Sequence, residues 1–458
     1  MFRKQLKYLD KWKDSPQRKP LIIRGARQVG KTELVREFGR SRFLNVIEIN
    51  FDHPDNGPLK SVFASESPQK IIQILETHFK TKIIPQQTLL FLDEIQNVPK
   101  LLPQLRYFYE DLPQLHVISA GSLLEFILNE HDFSMPVGRI EYLHLSQMDF
   151  EEFLIATGES ALLTFLENFS IKEKIPEPFH KRLIESVRLY IVLGGMPEVI
   201  RTYCEQKGIE DCLKTQSQIL TTFQDDFFKY KKRLDQTRLR NVFRRIPLLV
   251  GQKIKYVNID PNEQSRPLAQ TLDLLCLARI CARVYHSSCQ GTPLRAQINE
   301  RVFKLLFLDV GLMCHSCGVG YLDVKAINDL ILINQGALTE QFVGQHLLYQ
   351  HPPYEEPELF YWMREKKNAA AEVDYVITHG QTIVPVEVKS GSTGRLKSLH
   401  TFLSQHNLNW ALRFNGDYPS LLKTKTALPT GNVTMHLCSL PFYLIGQTKR
   451  ILEEIICS

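Results

Sequence analysis

Gly25-Ala26-Arg27-Gln28-Val29-Gly30-Lys31-Thr32 is the stretch on which the reading of this chain turns. It fits G-x(4)-G-K-[ST] at every position and stands between a strand pattern, Leu21–Arg24, and a helical pattern, Thr32–Phe38. A phosphate-binding loop needs that context: a strand that ends, glycines that let backbone N–H groups curl around an anion, and a helix whose N-terminus adds a positive dipole end. On this reading the loop cradles the phosphates of ATP, Lys31 reaches the β- and γ-phosphates, and Thr32 ligates Mg2+.

The second half of such a site is Leu89-Leu90-Phe91-Leu92-Asp93-Glu94, whose Asp93 lies 61 residues beyond Thr32. Four apolar residues followed by two carboxylates describe a buried strand ending at the C-terminal edge of a sheet, where open α/β folds bind ligands. Asp93 is placed to hold Mg2+ through water and Glu94 to polarise an attacking water. The next strand pattern, Leu115–Ser119, runs into Ala120-Gly121-Ser122. Ser122 is the first choice for a residue that contacts the γ-phosphate or orients water, with Ser119 second and a plain turn as the alternative. Arg139 precedes a fifth strand pattern, Ile140–Leu145. It reads either as a phosphate-sensing arginine, in cis or across an interface between copies of the chain, or as an ordinary surface arginine.

Strand patterns at Leu21–Arg24, Leu44–Asn50, Thr88–Leu92, Leu115–Ser119 and Ile140–Leu145 alternate with helical ones at Thr32–Phe38, Pro68–Phe79 and Lys100–Tyr109. That alternation predicts a parallel sheet covered on both faces. From about Phe150 to Tyr230 the pattern is helical, broken by Gly194-Gly195-Met196-Pro197. Residues 232–330 mix amphipathic helices with short strands, and a last unit begins near Ile331 with a helix through Leu338–Tyr349 and strands at Leu359–Met363, Glu372–Thr378 and Thr382–Lys389.

The motifs Gly25–Thr32, Leu92–Gln96 and Gly121-Ser122 resemble those of prokaryotic AAA-type ATPases in which the ATPase is followed by a domain of unknown function. Leu193–Pro197 and Asp309–Leu312 are similar to that family too, so the resemblance covers nearly the whole chain. It implies an ATPase over residues 1–160 of the additional-strand, catalytic-glutamate type, with sheet order 5-1-4-3-2. It also implies a helical, winged-helix-like region over 161–330 and an α/β unit similar to restriction endonucleases over 331–458.

Within that last unit, Glu372–Ile377 alternates as a strand, a turn follows at His379-Gly380, and the next strand ends in Glu387-Val388-Lys389. If the two strands pair as a hairpin, Asp374, Glu387 and Lys389 lie on faces that can converge. The pattern looks like the D-x(n)-E-x-K signature of nucleases, in which the acids bind Mg2+ and the lysine steadies the attacking water or the phosphate. Glu340 matches that family's N-terminal acidic position, which makes Glu340, Asp374 and Glu387 the expected metal ligands. Exposed hairpins often carry Glu and Lys, but Val-Pro-Val-Glu-Val-Lys is otherwise apolar, and burying both charges is costly without a metal or partner. The alternative to an active nuclease is a degenerate or DNA-holding relic.

Composition bounds the rest. The chain has 458 residues, 43% hydrophobic and 23% charged, which excludes wholesale disorder. No run of about 18 apolar residues marks a transmembrane helix, and the charged N-terminus lacks the apolar core of a secretory signal. Nine cysteines, none before Cys204, give no disulfide framework, and a reducing cytoplasm is the simplest location. Cys314-His315-Ser316-Cys317 is a lone C-x-x-C without a second pair and is not assigned a metal. The net charge of +6 is unevenly spread: residues 229–245 hold eight Lys/Arg against one acid. Arg233, Arg240, Arg244 and Arg245 there form a candidate phosphate-contact face, against the plainer reading of a solvated helix. Two functions compete. One is an Mg2+-dependent ATPase coupled to DNA binding or cutting. The other is a nucleotide switch acting on a protein partner, with an inert C-terminal unit.

Overall fold

The computed structural model describes residues 1–122, 124, 136, 138–206, 208–227, 235–318, 335–364, 370–389, 396–428 and 431–456. The chain forms two compact units. The first comprises Met1–Gln147 with Leu277–Arg279 and Pro352–Glu356, and the second comprises Met148–Cys276, Ile280–His351 and Pro357–Ser458. No helix among the described residues is long and apolar enough to cross a membrane.

The first unit runs α1 (Leu6–Asp14), β1 (Leu21–Arg24), α2 (Lys31–Arg42), β2 (Asn45–Asn50), α3 (Gly57–Ser65), α4 (Pro68–Phe79), β3 (Thr88–Asp93), α5 (Leu101–Asp111), β4 (His116–Ala120) and β5 (Glu141–His144). Its strands form a parallel sheet in the order β2-β3-β4-β1-β5, the expected 5-1-4-3-2 read from the other edge. Burial follows position. Every residue of β3 and β4 is buried, whereas β2 at the edge buries only Ile47 and Ile49. Fully apolar runs suit strands covered on both faces. Helices α3, α4 and α5 put Leu59, Phe63, Ile71, Leu75, Leu105 and Phe108 into one core with Ile49, Leu90 and Leu92. Helix α3 had no counterpart in the sequence reading. Its buried face is only Leu59 and Phe63, too sparse to show as a period.

The second unit opens with helices α6 (Phe150–Ala156), α7 (Ser160–Asn168), α8 (Glu177–Leu193), α9 (Pro197–Gln206), α10 (Ile209–Asp226), α11 (Gln236–Arg245) and α12 (Ser265–Leu277). Then follow β6 (Cys281–Ser287), β7 (Ile298–Phe307), α13 (Val310–Ser316), α14 (Gln335–Tyr349), β8 (Leu359–Arg364), β9 (Ala371–His379), β10 (Thr382–Val388), α15 (Lys397–His406), β11 (Trp410–Asn415), β12 (Ser420–Leu428), β13 (Gly431–Pro441) and α16 (Thr448–Ile456). Its strands make one mixed sheet in the order β12-β13-β11-β10-β9-β8-β6-β7. Strands β6 and β7 precede residue 330, yet β6 pairs in parallel with β8, so the sheet runs across the boundary expected there.

Leu193–Pro197 and Asp309–Leu312 meet in this unit. The fully buried Asp309 carboxylate accepts hydrogen bonds from the N–H groups of Gly195 (2.7 Å), Gly311 (2.9 Å) and Leu312 (3.0 Å). A Cβ on Gly311 would stand 2.4 Å from the Gly194 nitrogen, so the close approach requires glycine. Asp309 caps α13 and ties it to the end of α8 with the same side chain.

Candidate functional sites

The phosphate loop links β1 to α2. Gly30 takes the left-handed conformation (φ 89°) just before the helix, and a Cβ on Gly25 would stand 2.3 Å from the Leu145 carbonyl oxygen. Both positions demand glycine for those reasons. The Lys31 ammonium is buried and donates to the carbonyls of Gly25 (3.0 Å) and Ala26 (2.7 Å). Thr32 Oγ1 donates to Asp93 Oδ2 at 2.9 Å, joining the loop to the end of β3. Asp93 is 3% exposed. Burial pushes its carboxyl up to about 6, opposed by the Thr32 hydrogen bond and reinforced by the Glu94 charge.

Glu94 sits just past β3 in a left-handed backbone conformation (φ 53°) and bonds through its carboxylate to the Gln96 side-chain amide. The other side of that amide leans on the turn after β4: a Cβ on Gly121 would stand 2.3 Å from Gln96 Oε1. Ser122, buried at 7% exposure, follows in that turn. Ser119 lies inside the sheet, opposite Ile22 and Leu92, with its hydroxyl buried and unpartnered among the described residues. Arg139 stands apart, half-exposed, with Nε 2.9 Å from Glu110 Oε1 and its guanidinium 5.9 Å from the Tyr109 ring centre.

The second candidate site lies on the α14 face of the second unit's sheet. Strands β9 and β10 pair antiparallel, with Tyr375 opposite Val386. Val373 packs into the core under α15, so Asp374 turns to the opposite face. There Asp374 Oδ2 accepts from the Val388 N–H at 2.7 Å. Glu387 is 5% exposed and pairs through Oε1 with Lys389, while its Oε2 is buried without a hydrogen bond. Glu340 comes from α14, held by the Tyr375 hydroxyl on its carbonyl at 2.8 Å.

Lys304 of β7 enters the same cluster and was not singled out in the sequence. It is 2% exposed, pairs with Glu372, lies 3.8 Å from Glu340 Oε2, and stands 5.2 Å from the Tyr361 ring centre. Burial pulls the Lys304 ammonium down, but the charges of Glu340, Glu372 and Asp374 outweigh that and hold it above the usual lysine range. Burial, then the Asp374 charge, pushes Glu340 up to about 8 and Glu387 up to about 7. Asp374 is raised for the first of those reasons, against the pull of Lys304. Among the described residues no group of three His, Cys, Asp or Glu side chains is placed to share a metal ion. Of the expected trio, Glu340 lies 3.8 Å from Lys304, Glu387 pairs with Lys389, and Asp374 accepts from the Val388 N–H, while Glu340 Oε2 and Glu387 Oε2 are buried without hydrogen bonds.

Of the basic candidates, Arg240, Arg244 and Arg245 lie on α11, whose buried face is Leu239, Val242 and Phe243; Arg233 lies outside the described residues. Arg244 and Arg245 are exposed, with Arg244 Nη2 3.4 Å from Gln224 Oε1 and Arg245 Nε 3.3 Å from the Asn258 carbonyl.

Residues 17–154 match the AAA domain. Two further matches follow along the chain: a domain of unknown function, DUF8612, over residues 184–323, and another, DUF4143, over residues 335–434. No curated protein matches the chain. Among solved structures, the ORC2 protein of Aeropyrum pernix in its ADPNP–ADP complexes aligns over 72% of this chain and 92% of its own, at 13% identity and a TM-score of 0.32. PCH-2 of C. elegans aligns over 45% and 64%, at 12% identity and 0.27. A signal transduction ATPase with numerous domains from Pyrococcus horikoshii aligns over 77% and 46%, also at 12% and 0.27.

Two residues of the AAA domain's surroundings escaped the sequence reading. Gln96 ends the Leu92–Gln96 motif, and local pattern gives no sign that its amide binds the Glu94 carboxylate. Arg3 is 5% exposed and donates through Nη1 to the Val29 carbonyl at 2.8 Å and through Nη2 to the Ser146 carbonyl at 2.6 Å. A basic N-terminal run gives no sign of which arginine will be buried. Lys304 did leave a signal, one charge in the otherwise apolar Val302–Phe307.

Proposed function

We propose that the first unit binds ATP with Mg2+ and hydrolyses it. The observation that carries this reading is the 2.9 Å bond from Thr32 Oγ1 to Asp93 Oδ2, which brings two motifs 61 residues apart to one point at the C-terminal edge of the sheet. The residues fit a hydrated cation: a hydroxyl and a buried carboxylate meet there, and the raised Asp93 is the kind of acid a cation would relieve. Thr32 and Asp93 would hold Mg2+, which neutralises developing phosphate charge when bound. The loop from Gly25 to Gly30 offers its N–H groups, and Lys31 exchanges the carbonyls of Gly25 and Ala26 for phosphate oxygens. Glu94 orients the attacking water, with Gln96 setting the carboxylate's position and Ser122 facing the nucleotide from the neighbouring turn. Arg139, whose exposed pair with Glu110 is weak, is the candidate phosphate-sensing arginine, in cis or across an interface between copies.

The test is ATP turnover with nucleotide binding measured in parallel. Lys31→Ala should lose nucleotide binding. Glu94→Gln should keep binding and lose about 100-fold or more in turnover, the usual worth of a general base. Equal turnover for Glu94→Gln and the unaltered protein would sink the assignment.

For the second unit we propose a restriction-endonuclease-like fold that couples the ATPase to DNA. Support comes from the unpartnered Glu387 Oε2 beside Asp374 and Lys389. Two carboxylates suffice for Mg2+, which commonly keeps several waters. Lys304 favours a second reading, a catalytically inactive unit in a nucleotide switch for a protein partner, because its ammonium already neutralises part of the cluster. Mg2+-dependent cleavage of DNA that Asp374→Ala abolishes would decide for the first reading. No cleavage, with ATP turnover unaffected by DNA, would decide for the second.

A further inference from the structure

Two of the second unit's cysteines meet. Cys276 lies in the last turn of α12 and Cys281 opens β6, with their sulfurs 3.5 Å apart. The turn between them is tight: Ile280 N–H donates to the Leu275 carbonyl at 3.0 Å, and Arg279 takes a left-handed conformation (φ 58°). It folds the chain back so that positions five apart face each other. Cys281 is buried, whereas the Cys276 residue is partly exposed.

The surroundings treat the two sulfurs differently. Arg283, next but one after Cys281 on β6, pairs with Asp273, one helical turn before Cys276 on α12. The Cys281 S–H bonded to it holds the Cys276 thiol below the usual range; burial opposes this and the Arg283 charge assists it. Cys281 is driven far up, by the same bond and by burial. Burial likewise pushes Cys212 up to about 11 and Cys289 and Cys438 up to about 12.

We propose that Cys276 and Cys281 form a reactive dithiol whose substrate is hydrogen peroxide, with Cys276 the attacking thiol and Cys281 the resolving one. Two thiols in contact, one of them on a partly exposed residue, are the arrangement that dithiol chemistry uses. In the first step the Cys276 thiolate attacks one peroxide oxygen. The S–O bond forms as the O–O bond breaks, and the leaving hydroxide takes a proton to become water. In the second step the Cys281 sulfur attacks the Cys276 sulfur. The S–S bond forms as the S–O bond breaks, and the departing hydroxyl leaves with the Cys281 proton as a second water. The two thiols lose two electrons and two protons and the peroxide gains them. Closing 3.5 Å to a bond of about 2.05 Å asks for side-chain rotation in a turn that already faces the sulfurs together. The product pins the end of α12 to β6, the strand between β7 and β8.

The test uses the full, reduced chain treated with hydrogen peroxide at neutral pH. Thiols are then counted under denaturing conditions, and intact and peptide masses are measured. Two thiols should disappear with a loss of about 2 Da, the Cys276 and Cys281 peptides should be joined, and dithiothreitol should reverse the change. Cys281→Ser should leave a sulfenic acid on Cys276 that dimedone traps. Arg283→Gln should raise the pH midpoint for alkylation of Cys276, a readout that loss of folding alone would not give. The proposal is overturned if another pair is joined, if Cys276 goes to a sulfonic acid instead, or if Cys276 alkylates no faster than Cys204, which is also partly exposed.

Discussion

The two carboxylate sites bury acids in opposite ways. Asp93 accepts from neutral donors, the Thr32 hydroxyl at 2.9 Å and the Glu94 N–H at 3.1 Å. In the second unit Lys304 answers Glu340 and Glu372, and Lys389 answers Glu387. The first site meets its buried acid with neutral donors, the second with ammonium groups, one of them from a strand distant in sequence.

Removing that lysine gives the largest expected effect. Lys304→Met keeps the volume and deletes the charge, leaving Glu340 and Asp374 buried without it. Breaking one side of a buried pair costs about 3–5 kcal/mol, and the lower end applies here because Glu372 is 40% exposed and largely screened. Urea unfolding at pH 8 should show the loss, followed through Trp362 and Trp410, the two tryptophans of the second unit. The gap should narrow at pH 6, where the carboxylates take up protons. If Lys304→Met is as stable as the unaltered chain at pH 8, the cluster is not neutralised by Lys304 and the contrast between the sites disappears.

A smaller effect comes from pH alone. Glu340 and Glu387 rise from 4.5 to about 8 and about 7, so the folded chain holds protons that the unfolded chain has released. Carboxyls raised in this way contribute stability that is complete below about pH 4.5 and lost as pH climbs through 7 to 8. Asp93 and Asp309, each raised from 3.8 to about 6, lose theirs earlier. Thermal unfolding between pH 6.5 and about 9 should therefore lower the second unit's midpoint and leave the Trp12-reported first unit nearly level. A second unit that gains stability over that window would contradict the assigned shifts.

Much of the first unit was legible because its strands are short apolar runs with strong punctuation, and the phosphate loop fixes where each must end. Thr88–Asp93 and Pro68–Phe79 needed nothing beyond local pattern. The second unit was less so. Strand β6 finds its parallel partner β8 more than seventy residues later in the chain, between Val284 and Leu359, and no local period encodes that pairing. Site residues divide in the same way. Lys31, Thr32, Asp93 and Glu94 are set by one motif each, whereas Arg3 acts on Val29 and Ser146 through a contact spanning 143 positions. Lys304 was visible in principle: a lone charge in an apolar strand poses the same question that Glu387 and Lys389 did.

The smallest expected effect concerns α11, and it tests whether the second unit meets nucleic acid at all. Leu239, Val242 and Phe243 bury one face of the helix, and Arg238 is engaged with Glu263. Arg244 and Arg245 remain exposed, each with one weak hydrogen bond to its own unit. If they lie against phosphates, replacing both with Ala should weaken DNA binding alike for every sequence. It should also flatten the salt dependence by about one unit of slope per lost contact. ATP turnover measured without DNA should not move, since neither residue belongs to the first unit. Titrations at several salt concentrations separate this from a loss of folding, which would abolish binding rather than change its slope. An unchanged slope in the double variant, or no DNA affinity even at low salt, would make α11 a solvated face and leave the protein-partner reading of the second unit in possession.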